Sequence, residues 1–216
     1  MGCKDKQVNH SDVSTSPTQS TEVSQSSTKK ETKKILCFGN SLTAGYGLDE
    51  PDSWPTLLQE RIDSLSLPYT VINAGLSGET SAGGLSRIDW VLREPIDIFF
   101  LELGANDMLR GLNATKTEEN LDSIILRVHE KNPDIPIVLA GMLAPPNMGK
   151  EYQNIFNAAY PNLAKKHKAE LIPFFLDKVA GVKELNISDG LHPNEAGSKI
   201  ILETVWKSMQ NLLASD

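Results

Sequence analysis

Five short and nearly continuous apolar runs recur along the chain, and they constrain its fold more than any other feature. They are KILCF at 34–38, YTVIN at 69–73, DIFFLEL at 97–103, IPIVLAG at 135–141 and AELIPFF at 169–175. Apolar side chains at nearly every position indicate strands that are buried on both faces, as in a parallel sheet. Because amphipathic stretches separate the runs, strand and helix alternate. The sequence therefore predicts an α/β fold, a three-layer α/β/α sandwich around a five-stranded parallel sheet.

Two of the amphipathic stretches carry clear helix signals. In one, Thr115 and Glu118 have the spacing of a capping box. The apolar residues that follow recur at helical spacing and predict a core face: Leu121, Ile124, Ile125 and Val128. In the last stretch Asn194 is placed to cap a helix. Its predicted core face is Ile201, Val205, Met209 and Leu212.

The first 32 residues are rich in Ser, Thr, Gln and Lys and have almost no large apolar side chains. Such a segment cannot bury enough surface to offset its ordering entropy, so we expect a disordered polar tether at 1–32 and a folded domain at 33–216. Gly2 and Cys3 followed by this tether resemble the start of a mature bacterial lipoprotein. That resemblance implies membrane tethering through a lipidated Cys3 in the periplasm or cell envelope. A cytoplasmic protein with a frayed terminus is the alternative.

Charge and cysteine content exclude several classes of function. Residues 35–216 carry 15 basic and 24 acidic side chains, and so acidic a body is a poor binder of nucleic acid. Cys37 lies in an apolar run and Cys3 in the polar tail, so we expect neither a disulfide nor a shared metal site for the pair. We expect no membrane-spanning helix and no signal peptide, because no run approaches about 20 apolar residues and no apolar segment precedes the polar start.

The turn after the first apolar run, GNSLTAGYG at 39–47, could hold a phosphate or expose a nucleophile. The segment GYGLDE at 45–50 begins like a dinucleotide-binding fingerprint, but Glu50 stands in the third glycine position and would oppose a pyrophosphate. A phosphate-binding loop at Lys150 fails as well, because Glu151 follows it in place of Ser or Thr. A serine nucleophile is the interpretation that remains.

Ser41 in this turn needs a histidine base, itself oriented by a third group. Of the four histidines, His192 is the one placed for catalysis, in the segment SDGLHPNEAG and three residues after Asp189. That spacing can bring a carboxylate beside one imidazole nitrogen while the other faces the nucleophile. A surface histidine in a simple turn is the alternative.

Donors for an oxyanion are expected at two further strand ends. Gly75 follows the second apolar run in NAGLSGET, and Asn106 follows the third in ELGANDML. Taken alone, Asn106 could equally cap the next helix. Asn106 becomes a candidate oxyanion donor because the serine and histidine segments occur in the same chain.

These four segments, in this order, resemble the four blocks of the SGNH (GDSL-type) hydrolase family. SWPTLLQERI at 53–62 and GMLAPPNMG at 141–149 extend the match over essentially all of residues 33–213. The sequence is similar to the subgroup of acyl-CoA thioesterases, lysophospholipases and arylesterases. The resemblance implies a flavodoxin-like sandwich with no metal or organic cofactor, and a serine esterase acting on carboxylic esters or thioesters through an acyl-enzyme.

The resemblance also implies a role for each site residue. Ser41 is the nucleophile, His192 the general base and acid, and Asp189 the group that orients the histidine. The backbone N–H groups of Ser41 and Gly75, with the side chain of Asn106, are expected to form the oxyanion hole.

One position departs from the family pattern, because Asn40 stands where the family usually has Asp. Farther along, Met148 and Tyr152 are predicted to line the acyl-binding wall, although helical packing would explain Tyr152 equally well. The expected partner is a small-molecule or lipid ester, and no macromolecular partner is implied. A short-chain or carbohydrate O-deacetylase is the alternative enzyme. A non-catalytic acyl- or glycan-binding module is the alternative of another class.

Overall fold

The computed structural model of the chain describes Gly2 and residues 32–214. Almost all of the predicted tether at 1–32, including Cys3, lies outside the described residues. The lipid anchor and the domain boundary therefore stay predictions.

Five parallel strands form one sheet in the order β2-β1-β3-β4-β5. The strands are β1 (Lys33–Gly39), β2 (Tyr69–Gly75), β3 (Ile98–Glu102), β4 (Ile137–Ala140) and β5 (Glu170–Ile172). The chain leaves β1 toward β2 on one side and continues to β3 on the other, so the strand order reverses between β1 and β3. A crevice at the carboxyl ends of two such strands is where α/β sheets bind ligands.

Helices pack on both faces of the sheet and complete the predicted sandwich. They are α1 (Ser41–Ala44), α2 (Trp54–Ser64), α3 (Ser81–Val91), α4 (Ala105–Leu109), α5 (Ala114–Lys131), α6 (Lys150–His167) and α7 (Glu195–Leu213). Helix α2 contacts α7, while α5 contacts both α3 and α6, which gives one helical layer on each side. The five-stranded α/β prediction is confirmed. No helix of the described part of the chain is long and apolar enough to cross a membrane.

The predicted core faces of the helices are largely as expected. All four predicted residues of α5 are buried, as are Ile201, Val205 and Met209 of α7. Leu212 is half-buried, and its neighbour Leu213 takes the buried place instead. The predicted cap of α7 is present, because the Asn194 side chain accepts a hydrogen bond from the Gly197 N–H at 3.1 Å.

Two local predictions were wrong, each for a physical reason. Helix α5 is capped two residues earlier than predicted, because the Asn113 side chain accepts the Lys116 N–H at 3.1 Å and leaves Thr115 inside the first turn. Strand β5 ends at Ile172 and not at 175. Pro173 follows it and has no N–H to continue the ladder.

Candidate active site

Ser41 lies at the reversal point of the sheet, as the first residue of the short helix α1. Strand β1 ends at Gly39, and Asn40 caps the helix by accepting the Leu42 N–H at 2.9 Å. Glycine is required at 39, because a Cβ there would lie 2.2 Å from Thr43 Oγ1. This close approach of strand and helix turns the chain sharply and places the Ser41 side chain at the strand end.

The structure brings Ser41, His192 and Asp189 together, although Ser41 and His192 are 151 residues apart. His192 Nε2 lies 2.8 Å from Ser41 Oγ, and His192 Nδ1 lies 2.6 Å from Asp189 Oδ2. A histidine that donates Nδ1–H to a carboxylate presents the lone pair of Nε2 to the serine hydroxyl. The hydroxyl can therefore give up its proton as it attacks.

Asp189 is held as a carboxylate by its own loop. Its Oδ1 accepts the backbone N–H groups of Leu191 at 2.8 Å and His192 at 3.0 Å. Partial burial raises the pKa of Asp189, but these hydrogen bonds and the imidazole outweigh it and lower the pKa to about 2. Asp189 is thus ionised at any pH at which the protein would work, and it can stabilise an imidazolium.

The histidine loop is a compact turn between the short helical segment at Lys183–Leu185 and α7. The Ile187 N–H donates to the His192 carbonyl at 2.8 Å, and Asn186 forms an isolated bridge with Pro193. Gly190 has a φ of 70°, which favours glycine. The ring of Tyr46 lies 4.7 Å from the imidazole and covers it on one side.

Asn106 lies on α4, directly after β3, and lines the same cavity as Ser41 and His192. Its Nδ2 donates to the Glu79 carbonyl at 3.0 Å, which leaves the second hydrogen of that amide for an oxyanion. Glu79 is in turn bound to Arg87, whose Nε donates to Glu79 Oε1 at 2.6 Å. The Asn106 side chain is therefore fixed by a loop that is itself anchored.

Gly75 does not join this group, contrary to the prediction. Its N–H donates to Asn73 Oδ1 at 2.9 Å, and a Cβ at 75 would lie 2.2 Å from the Ala44 nitrogen. Helix α1 packs directly on the end of β2, so glycine is needed there for space.

Gly78, three residues later, has an N–H that is available to donate to an oxyanion. It has a φ of 81° in the turn that joins β2 to α3, and its carbonyl accepts a hydrogen bond from Arg110 at 2.7 Å. Within the described residues its N–H makes no hydrogen bond to another protein group. The next carbonyl, that of Glu79, holds Asn106. The second glycine of NAGLSGET was the available signal in the sequence, because a glycine between polar residues marks a turn.

A cavity of about 250 Å³ opens beside Ser41 and is mainly apolar. Side chains from several strand-end loops form its wall, namely Met108, Leu109, Met142, Leu143, Leu176 and Leu191. Leu109, Leu143 and Leu191 are also largely exposed at 56%, 45% and 52%, and so form the rim. The cavity can take an acyl group beside the serine.

Met148 and Tyr152 do not line this cavity, so their predicted place in its wall was wrong. Met148 packs against the core, and the Tyr152 ring stacks on buried Phe156 at 5.7 Å between centroids. Phe156 is four residues farther along α6, and this spacing directs both rings to the same side of the helix. From this part of the chain, it is Leu143 and Pro145 that line the cavity, in the segment GMLAPPNMG at 141–149.

A buried carboxyl group, Glu102, lies directly behind Ser41 and was missed by the sequence reasoning. Its Oε1 accepts Asn40 Nδ2 at 2.7 Å, and its Oε2 accepts Thr43 Oγ1 at 2.8 Å. Burial raises the pKa of Glu102 to about 8, although the hydrogen bonds from Thr43 and Asn40 act to lower it. Among the residues that the structure describes, no group of three or more His, Cys, Asp or Glu side chains is placed to hold a metal ion.

Comparison with known proteins agrees with this geometry. Residues 37–200 match the model of the GDSL-like Lipase/Acylhydrolase family. Esterase TesA of Pseudomonas aeruginosa is 38% identical over 180 residues, which cover 83% of this chain and 89% of the relative. Thioesterase 1/protease 1/lysophospholipase L1 of Escherichia coli is 36% identical over 183 residues, 84% of this chain and 86% of the relative. The structure of AlinE4, an SGNH-hydrolase family esterase, is 42% identical with a TM-score of 0.69, and the match covers 85% of this chain and 96% of AlinE4. The chain belongs to the GDSL-like lipase/acylhydrolase family, that is, to the SGNH hydrolases.

Proposed function

We propose that the protein is a serine esterase that hydrolyses carboxylic ester or thioester bonds through an acyl-enzyme. The observation that carries the proposal is the hydrogen-bonded series Ser41–His192–Asp189, which opens into a mainly apolar cavity. The relatives reported above include an esterase and a thioesterase/lysophospholipase, which supports ester and thioester substrates for this chain.

In the first step Ser41 Oγ attacks the carbonyl carbon of the ester, and His192 Nε2 takes the serine proton. The carbonyl oxygen becomes an oxyanion, for which the N–H groups of Ser41 and Gly78 and the Asn106 amide are the proposed donors. Such donors are already oriented before the reaction, so they stabilise the developing charge without reorganisation. The imidazolium then gives its proton to the leaving alcohol or thiol.

In the second step a water molecule replaces the leaving group and loses its proton to His192 Nε2. The resulting hydroxide attacks the acyl carbonyl, and the Ser41 Oγ–acyl bond breaks as the proton returns to the serine. Ionised Asp189 stabilises the imidazolium in both steps. The products are a carboxylic acid and an alcohol or thiol.

The acyl part of the substrate is proposed to occupy the apolar cavity, with the alcohol or thiol part outside it. A volume of about 250 Å³ lies just below the usual range for small-molecule sites. Leucines at the rim extend the apolar surface outward, which would allow a longer chain to continue along it.

The test is the hydrolysis of p-nitrophenyl esters with acyl chains of two to sixteen carbons, by wild type and Ser41→Ala. Ser198→Ala is the matched control, because Ser198 is also buried but donates to the Asp52 carbonyl outside the cavity. Turnover by wild type and the control, and its loss in Ser41→Ala, would support the esterase. A maximum at two carbons would favour the deacetylase instead.

Equal inactivity of folded wild type and Ser41→Ala, on these esters and on acyl-CoA and lysophospholipid, would favour the binding module. Thioester and lysophospholipid assays belong in the same series because the proposal includes both bond types.

We further propose that Cys3 carries a lipid anchor that places the protein in the bacterial cell envelope. The support is the sequence alone, a cysteine after Gly2 that is followed by a polar run. Palmitate labelling of the full chain in cells, compared with Cys3→Ala, tests this proposal. A label of equal strength in both would contradict it.

A further inference from the structure

Glu102 is an ionisable side chain with 0% exposure that the mechanism above does not use. It is the last residue of β3, and its register partner on β1 is Gly39, two residues before the nucleophile. The lack of a side chain at Gly39 makes room for it, because a Cβ there would lie 2.7 Å from Glu102 Oε2. The carboxyl group therefore fills the space directly beneath the turn.

The hydrogen bonds of Glu102 go to the residues on either side of Ser41. Oε1 accepts Asn40 Nδ2 at 2.7 Å, while Oε2 accepts Thr43 Oγ1 at 2.8 Å and the Asn40 N–H at 3.2 Å. The Asn40 side chain then uses its oxygen to accept the Leu42 N–H at 2.9 Å. The Asn40 amide is thus fixed at both ends, and the peptide before Ser41 has little freedom to rotate.

We propose that Glu102 is a positioning residue for the nucleophile: by accepting hydrogen bonds from Asn40 and Thr43 it fixes the turn that presents Ser41. The inference rests on the proposed function, because it takes Ser41 as the nucleophile. It extends that function to a residue that touches neither substrate nor the reacting atoms.

Burial of a carboxyl group is costly unless its hydrogen bonds are well satisfied, and an apolar residue would fill the same space more cheaply. Here both oxygens are used, and each bond leads to the same four-residue turn. Tyr160 of α6 is a titratable group that senses the charge of Glu102, and its hydroxyl donates to the Leu103 carbonyl at 2.9 Å. Tyr160 therefore does not compete for the oxygens of Glu102.

The bond from Asn40 Nδ2 survives in both protonation states of Glu102, because Oε1 can accept whether or not Oε2 carries a proton. Glutamine is the conservative variant: it keeps an acceptor at Oε1 for Asn40 Nδ2, and its NH2 group can donate to Thr43 Oγ1, but it loses the acceptor for the Asn40 N–H. Leucine has a similar size but leaves the Asn40 amide and the Thr43 hydroxyl without an acceptor. Comparing Glu102→Gln with Glu102→Leu therefore separates the effect of the hydrogen bonds from the effect of filling the space.

The experiment measures kcat and KM on a p-nitrophenyl ester, together with the rate at which a fluorophosphonate labels Ser41. Ile98→Ala is the matched control, because Ile98 is buried at the opposite end of the same strand. The control is expected to lower the melting temperature but to leave kcat unchanged. Ser41→Ala is assayed in parallel.

Glu102→Leu is expected to lower kcat and the labelling rate about 100-fold with KM changed less than about threefold, because a small displacement of a reacting group costs about that much. Glu102→Gln is expected to remain within about fivefold of wild type, because it retains the bond to Asn40. If Glu102→Leu does not fold, Thr43→Val replaces it, with an expected loss of about fivefold in the labelling rate.

Wild-type kcat and labelling in Glu102→Leu, or in Thr43→Val where it is used, with Ser41→Ala inactive, would overturn the positioning role alone. Equal loss in Glu102→Gln and Glu102→Leu would also overturn it, because the retained acceptor would then have no effect. Activity in Ser41→Ala would instead overturn the proposed function.

Discussion

The two halves of the candidate site are held in opposite ways. The Ser41 turn is buried and is fixed by hydrogen bonds to Glu102, a residue 62 positions away from Asn40. The histidine loop is partly exposed, with 34% of the Asp189 side chain and 21% of the His192 side chain accessible, and its main hydrogen bonds join residues two or three apart. The tertiary fold thus positions the nucleophile, whereas a local turn positions the base.

The largest predicted effect comes from removing the hydrogen bond that joins the two halves, between Ser41 Oγ and His192 Nε2. Ser41→Ala and His192→Ala are each expected to lower kcat by about 10⁴ or more, because neither half can activate the attack alone. Steady-state hydrolysis of a p-nitrophenyl ester measures the effect. The double variant should be no worse than the more severe single variant, and additive losses would mean that the two residues act independently.

The second prediction concerns the donors next to the nucleophile. Asn106→Ala is expected to lower kcat by about 10² to 10³ with a smaller change in KM, because it removes stabilisation that matters in the transition state. Near-full kcat in a folded Asn106→Ala variant would exclude the oxyanion role. Unfolding monitored by circular dichroism provides the control for the fold.

The third prediction concerns the buried half of the site. It replaces Asn40 by Asp, the residue that the family usually has at this position. Burial raises the pKa of Glu102 to about 8, so at neutral pH the protonated Glu102 can donate to the new carboxylate in Asn40→Asp. We expect kcat at neutral pH to change by less than about tenfold, since a hydrogen bond between the two side chains is kept. The new carboxylate raises the pKa of Glu102 further, so two carboxylates face each other only at a pH above about 8, where kcat should fall in Asn40→Asp more steeply than in wild type.

The double variant Asn40→Asp/Glu102→Gln is the control for this effect, because the glutamine amide donates to the new carboxylate at any pH. Its pH profile should lack the additional alkaline fall. A loss of more than about a hundredfold in Asn40→Asp at neutral pH would show that a neutral amide is required at 40.

The smallest predicted effect lies in the exposed half and concerns stability. The pKa of Asp189 is lowered to about 2, so its contribution is fully present above the pKa of a free aspartate, near 4, and is lost as the pH falls through about 2. The free energy of unfolding of wild type should therefore fall more than that of Asp189→Asn over this range. Urea unfolding at several pH values measures it, and parallel curves would contradict the assignment.

The same contrast explains what the sequence could predict. The five apolar runs determine the sheet, because burial on both faces is visible in each run separately. The segment from Asp189 to His192 is equally local, so its residues could be chosen from their three-residue spacing. Glu102 could not be chosen in this way, because it lies within an apolar run and its partners are brought to it only by the pairing of β1 with β3.

The wrong predictions for Gly75 and Tyr152 arise from side-chain and helix packing, which the spacing of residues in the sequence does not reveal. Gly75 has the residue type of an oxyanion donor, but α1 lies against it and its N–H donates to Asn73 Oδ1. Tyr152 has an apolar ring after a strand end, but its position on α6 directs it to Phe156. In both cases the residue type was suitable, but the Gly75 N–H and the Tyr152 ring have other partners.

The most direct test of the central claim is whether Ser41 forms the covalent acyl-enzyme. Wild type is mixed with excess p-nitrophenyl acetate, quenched in acid within milliseconds to seconds, and examined by intact and peptide mass spectrometry. We expect an acetyl group on the peptide that contains Ser41, together with a burst of p-nitrophenol, and neither signal in Ser41→Ala. Turnover by wild type without a burst or a label on that peptide, or acetylation at another residue that persists in Ser41→Ala, would contradict it.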